Sequence, residues 1–163
     1  MQPGLIRYAQ LGLLIGFLTV GCGIHDDTPA AAWERTQRLL ALQDFGRVYD
    51  SMASQGQQET VRLLDYVRRD EWYRNSMAKK FGINEQELAV LSPRMFFERL
   101  MRVTASQAPH LTRAQSRVVD TAQIIEERIE DGRAIIKWRT ESGLVTESYF
   151  VLENKVWKPY FPR

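Results

Sequence analysis

Side chains able to move protons are spread along this sequence rather than gathered. Asp120 and Glu127 fall in a stretch, residues 117–130, whose β-branched content reads as sheet, and Tyr49, Tyr66 and Tyr149 supply phenols. A carboxylate or phenol in a pocket is the equipment of general acid–base chemistry, which needs hydrogen-bond reach to a substrate proton and a suitable pKa. The same residues equally suit charge on a strand surface and tyrosines at the rim of a core. Metal chemistry has less to work with. The two histidines, His25 and His110, are far apart, one in a tether and one in an expected loop, and no His, Cys or carboxylate cluster has ligand spacing. No glycine-rich phosphate loop and no nucleophile elbow occurs. Neither a metal nor a cofactor is expected.

The remaining reactive group is the single cysteine, Cys22. Residues 1–10 carry one cation, Arg7, and no acid, and residues 11–20 (LGLLIGFLTV) are free of charge. That run is half the roughly twenty residues a spanning helix needs, and its length suits the apolar region of a signal peptide. Leu18-Thr19-Val20-Gly21-Cys22 resembles the lipobox of bacterial lipoproteins, with a small residue just before the cysteine. The resemblance implies that residues 1–21 are removed as a signal peptide and that Cys22 is acylated, leaving membrane lipid as one partner. Acylation would consume the only thiol, and a stray disulfide in an oxidising compartment would then be impossible. Gly23 stands where aspartate would hold such a protein at the inner membrane of enteric bacteria. The resemblance therefore implies export and, in a Gram-negative host, the outer membrane facing the periplasm. Residues 22–27 form the lipidated cysteine and its tether, and the five residues 23–27 span at most about 17 Å. The domain must work close to the membrane.

Composition agrees with one globular domain over residues 28–163. Hydrophobic residues are 44% and charged residues 26%, enough of each for a packed core with a solvated surface. A net charge of +2 offers no bulk attraction to polyanions, and nucleic acid is not an expected partner.

Helix signals dominate the first part of that domain. Thr28-Pro29 is a cap followed by a first-turn proline, so a helix is expected over residues 30–42 with Trp33, Leu39 and Leu40 inward. Gln43-Asp44 breaks it, and residues 45–52 read as a second, shorter helix. Residues 53–58 read as a polar connection, and residues 59–81 as one long helix ending at Gly82. Asn84 and Glu87 make a capping box for a short helix ending near Leu91. Ser92-Pro93 then opens another helix, with Phe96, Phe97, Leu100 and Met101 in a buried stripe.

Strand signals follow. Asp131-Gly132 is a two-residue hairpin turn after residues 117–130. Ala134, Ile136 and Trp138 alternate with Arg133, Ile135, Lys137 and Arg139, giving one apolar face. Residues 141–143 turn into a third strand over residues 144–153. Asn154-Lys155 turns into a last strand over residues 156–161, which Pro159 marks as an edge. Helices first and an antiparallel meander second make an α+β fold, N-terminal helices packed on a curved antiparallel sheet of about four strands.

This order resembles the nuclear-transport-factor-2-like superfamily, the cystatin-like cone. The resemblance lies in the Asp-aromatic break within residues 41–50 (ALQDFGRVYD) and in the closing turn with its Trp-Lys pair, Asn154-Lys155-Val156-Trp157-Lys158. It implies a sheet and covering helices that enclose a pocket, a frame used by isomerases, dehydratases and cyclases and by binding or assembly modules. Trp33, Tyr49, Phe97, Trp138 and Phe150 are candidates to line such a pocket. With Trp72, Phe96 and Trp157 they serve equally well as core. The basic side chains between Arg62 and Arg117, among them Arg68, Arg69, Lys79, Lys80, Arg94, Arg99 and Arg102, suit either a solvated helix face or contact with anionic headgroups.

Three functions fit. The leading one is a membrane-anchored, non-catalytic binding or assembly module that takes another envelope protein or a small apolar ligand. The second is a small-molecule enzyme of the isomerase or dehydratase type. The third is a lipid- or polymer-contacting surface protein.

Overall fold

The computed structural model describes residues 28–160; Cys22, the apolar run before it and the tether lie outside the described residues. Within them the chain forms seven helices and then four strands: α1 (Pro29–Ala41), α2 (Phe45–Ser51), α3 (Ser54–Arg69), α4 (Glu71–Phe81), α5 (Glu85–Val90), α6 (Pro93–Gln107), α7 (Pro109–Thr121), β1 (Gln123–Glu130), β2 (Arg133–Arg139), β3 (Val145–Glu153) and β4 (Val156–Tyr160). The strands make one antiparallel sheet in the order β1-β2-β3-β4. The α+β arrangement expected from the sequence is the one observed.

Local chemistry accounts for most boundaries. The Thr28 hydroxyl accepts from the Ala31 N–H at 3.1 Å to start α1. Gln43 enters the left-handed region at φ 53° to end the connection to α2. Asn84 accepts from the Glu87 N–H at 2.8 Å while Glu87 accepts from the Asn84 N–H at 3.4 Å, the reciprocal box expected for α5. Ser92 caps α6 through the Met95 N–H at 3.2 Å.

Three expectations need correcting. The long helix over residues 59–81 is two helices, because Asp70 takes extended backbone (φ −93°, ψ 117°) and caps α4 through the Tyr73 N–H at 3.0 Å. The supposed polar connection of residues 53–58 holds the first turn of α3. Its cap is not local: the Glu153 carboxylate on β3 accepts from the Ser54 N–H at 3.1 Å and from its hydroxyl at 2.7 Å. Third, residues 117–121 belong to α7, so Asp120 sits on a helix rather than on the sheet, and His110 sits in that helix rather than in a loop. Val118 is buried on α7 against the core, and this packing overrides the β-branched preference for strand.

The core has two parts. One lies between α1, α7 and the helix-facing side of the sheet, built from Trp33, Val118, Ala134, Ile136, Phe150 and Trp157 with Ala32. The other gathers α3 to α6 around Leu64, Val67, Leu88, Leu91 and Phe96. Between them α2 packs on α6 closely enough that a Cβ at Gly46 would meet the Glu98 carboxylate and the Arg94 guanidinium, so a side chain there would require these two to shift. Arg94 in turn ties α6 to α2 through Asp50 at 3.0 Å.

Candidate functional site

Of the residues proposed to line a pocket, Trp33, Trp138 and Phe150 meet on the helix-facing side of the sheet. Trp33 of α1 is 4% exposed and Phe150 of β3 1%. The Trp33 and Trp138 rings lie 5.5 Å apart, tilted by 52°. Trp138 is half-buried at the margin of this cluster, and its indole N–H donates to the Ser148 hydroxyl at 3.0 Å. The buried Trp33 indole N–H has no hydrogen-bond partner. Tyr49 and Phe97 lie elsewhere, ring to ring at 5.6 Å where α2 meets α6. The five residues therefore form two separate contacts. Trp72, also considered for the interior, is 69% exposed on α4. Cys22 and His25 lie outside the described residues.

The acid–base candidates Asp120, Glu127, Tyr49, Tyr66 and Tyr149 stand on α7, β1, α2, α3 and β3, and no two of them line the same one of five well-formed grooves among the described residues. All three phenols are pushed above the ordinary tyrosine value. Tyr49 rises through burial and then the Asp50 charge. Tyr66 rises through desolvation and then its neighbours Tyr73 and Asp70. Tyr149 rises because it donates to Glu147, at 2.8 Å, a bond that favours the neutral phenol. A higher pKa makes each a poorer base near neutral pH.

Much of the local basic excess is engaged within the fold. Arg68 donates to the Leu91 carbonyl at 2.7 Å and pairs with Asp65 at 3.6 Å. Arg94 pairs with Asp50 and, at 2.5 Å, with Glu98. Arg99 reaches the Phe81 carbonyl at 3.4 Å. Arg69, Lys79, Lys80 and Arg102 remain on exposed positions.

What the sequence did not single out is a groove where α1, α2 and β4 meet, with a volume of about 640 Å³. Leu39, Leu42 and Val156 are apolar members of its lining, and Arg35, Arg38, Arg47 and Lys158 are its cations. Glu34 and Asp50 are its carboxylates, and Asp50 is already engaged by Arg94. Burial pushes the Arg35 guanidinium below its ordinary pKa, the mark of a cation in a partly dry setting. Arg47 leans on Asp44 at 3.4 Å and Lys158 on Glu153 at 3.5 Å. Leu42 stays 71% exposed at the end of α1 because Gln43 turns the chain away from it.

One signal in the sequence could have found this place. Ala31, Arg35, Arg38 and Leu42 recur at helical spacing, a mixed apolar and cationic stripe beside the buried face of α1. Its partners on β4 lie more than a hundred residues away in the chain, which hid the groove. Chemically, a lining that mixes apolar side chains with guanidinium groups suits an amphiphile with an acidic head.

A smaller groove of about 460 Å³ lies between α7 and the turn joining β2 to β3, lined by His110, Arg113, Arg117, Glu141 and Leu144 among others. Among the described residues no helix is long and apolar enough to cross a membrane, and no group of three or more His, Cys, Asp or Glu is placed to hold a metal ion. Compared with known proteins, the chain matches no protein family, no curated protein and no solved structure.

Proposed function

We propose that the chain is a lipid-anchored envelope protein whose domain is a non-catalytic binding module, and that the α1–α2–β4 groove takes an amphiphile with an anionic head. The observation that carries this reading is the groove itself, whose lining combines leucine and valine side chains with arginines from two helices and a lysine from β4. A carboxylate or phosphate there gains charge-assisted hydrogen bonds while its hydrocarbon leaves water. A pocket enzyme would need an acid and a base facing one cavity, whereas no two of the candidates line the same one of the grooves described. The nuclear-transport-factor-2-like resemblance remains part of this proposal, supported by the order of helices before an antiparallel meander.

Two measurements test it. Mass spectrometry of the protein taken from native membranes should find the chain beginning at a diacylated Cys22; an intact residue 1 or a free thiol defeats the anchor. Calorimetric titration with octyl phosphate below its micelle concentration should show binding that Arg38→Glu weakens about tenfold or more, the value of one charge-assisted contact. Octyl glucoside, with the same tail and a neutral head, should bind more weakly. Equal affinity for both amphiphiles, or for wild type and Arg38→Glu, defeats the groove.

A further inference from the structure

The junction of α3 and α4 carries an aromatic knot that neither core cluster uses. Trp72 is 69% exposed, Tyr66 50% and Tyr73 40%. Their rings nevertheless hold one another: Tyr66 and Tyr73 at 5.0 Å, Trp72 and Tyr73 edge-on at 4.8 Å. Leu63, one turn before Tyr66, is 42% exposed and lengthens the patch. The break at Asp70 creates it, because it sets Trp72 and Tyr73 in the first turn of α4 against the last turn of α3.

Arg62 and Arg69 flank Tyr66 on its own helix face, four residues before it and three after. Both are exposed. Lys79 and Lys80 close α4. Of the nearby carboxylates, Glu59 pairs with Arg62, Asp65 with Arg68, and Asp70 is taken up in capping α4. Glu71 sits in the first turn of α4, where the helix dipole favours it. Over α3, Asp70 and α4 the count is six cations against four carboxylates, with one of the cations, Arg74, paired to Glu85 of α5 at 2.5 Å.

We propose that this knot rests on the headgroup layer of an anionic bilayer. Tryptophan and tyrosine are the residues that settle at a membrane interface, ring toward the acyl boundary and polar tip among the headgroups. Arginines beside them lay their stems along the apolar layer and present charge to phosphate. The proposal rests on the lipid anchor at Cys22, which fixes how far the domain can stand from the membrane. Six residues from Cys22 to Thr28 reach at most about 20 Å, whereas a compact domain of this length is about 35 Å across. The anchor thus keeps the domain within reach of the bilayer, and this face has the chemistry to rest on it.

The test uses the lipidated full chain in vesicles of phosphatidylethanolamine and phosphatidylglycerol whose acyl chains are brominated near the headgroup. Trp33 and Trp157 are buried and Trp138 half-buried, so the emission lost in Trp72→Phe isolates the exposed indole. That component should be mostly quenched in the brominated anionic vesicles. It should recover in brominated phosphatidylcholine vesicles and in the Arg62→Glu, Arg69→Glu double variant. Flotation through a density gradient reads the anchor separately. A chain that does not float defeats the anchor and this proposal with it. A chain that floats with Trp72 unquenched defeats the docking alone, and so does a cross-link from position 72 to a second copy that forms in place of quenching. Quenching that ignores both headgroup charge and the arginine reversals defeats the anionic surface as its partner.

Discussion

At Asp131-Gly132 both central residues of the turn take positive φ, 47° and 70°. Nothing lies within 4 Å of where a Gly132 Cβ would stand, so a side chain there meets open space and the penalty is purely one of backbone conformation. Gly132→Val should lower stability by about 1–3 kcal/mol, the range for strained backbone positions. Asn154-Lys155 repeats this geometry at 53° and 66°, but with lysine where glycine would be unstrained. Lys155→Gly should therefore stabilise by about 1 kcal/mol. Denaturant midpoints at equal slope measure both, and a Lys155→Gly protein no more stable than wild type would mean that the side chain compensates for its own strain. Phe150 and Trp138, aromatic residues on the helix-facing side of the two inner strands, should behave differently. Phe150, 1% exposed, should cost about 3–5 kcal/mol on truncation to alanine. Trp138, half-buried and held by Trp33 and Ser148, should cost less, about 2–3 kcal/mol, because less of its surface leaves water on folding. Equal losses would place Trp138 in the core proper.

Among the elements, α3 shows what a local reading of the chain can and cannot reach. Thr28, Asn84 and Ser92 announce α1, α5 and α6 because cap and helix are neighbours in sequence. Ala53 has no capping side chain, and the carboxylate that completes α3 arrives from Glu153, 99 residues on. No inspection of residues 53–58 could reveal it. The break at Asp70 was legible in principle: arginines close one helix, aspartate caps the next and glutamate opens it. The groove was hidden for the same reason as the α3 cap, since its lining joins α1 to a strand made at the other end of the domain. The Glu153 contact also makes a pH prediction. Burial alone would raise its pKa, but the Ser54 hydroxyl and N–H and the Lys158 ammonium outweigh that and hold it below the ordinary glutamate value. Its folded value is thus the lower one, so its stabilisation is complete above the unfolded value of about 4.3 and is lost as pH falls through the folded value. Glu153→Gln should cost about 1 kcal/mol at neutral pH, the usual worth of a helix cap. The gap between variant and wild type should close on acidification below pH ~4. A gap that is independent of pH would show that the charge plays no part.

For the molecule as a whole, the two core clusters imply two levels of stability. The α3–α6 cluster around Leu64 and Phe96 shares no buried residue with the cluster beneath the sheet. Truncating Leu64, 1% exposed, should therefore loosen α3, α4 and α5 well before the sheet feels it. Hydrogen exchange should show faster amide exchange across those helices in Leu64→Ala, with β2 and β3 still protected as in wild type. Uniform acceleration over both regions would mean that the domain opens as one unit. The Glu153 carboxylate is the counterweight to this independence, joined by the Ala53 N–H that donates to the Pro159 carbonyl at 3.0 Å.

That pair of contacts has a consequence in time. A chain emerging from a ribosome delivers Ser54 long before Glu153, so the start of α3 must wait for nearly a hundred further residues. Until then its first turn has unanswered N–H groups and frays, and the helices of the middle region lack a firm beginning. When the β3–β4 hairpin arrives it completes its own sheet and, in the same event, closes a helix laid down earlier. The firm start of α3 is thereby deferred to a late stage of synthesis.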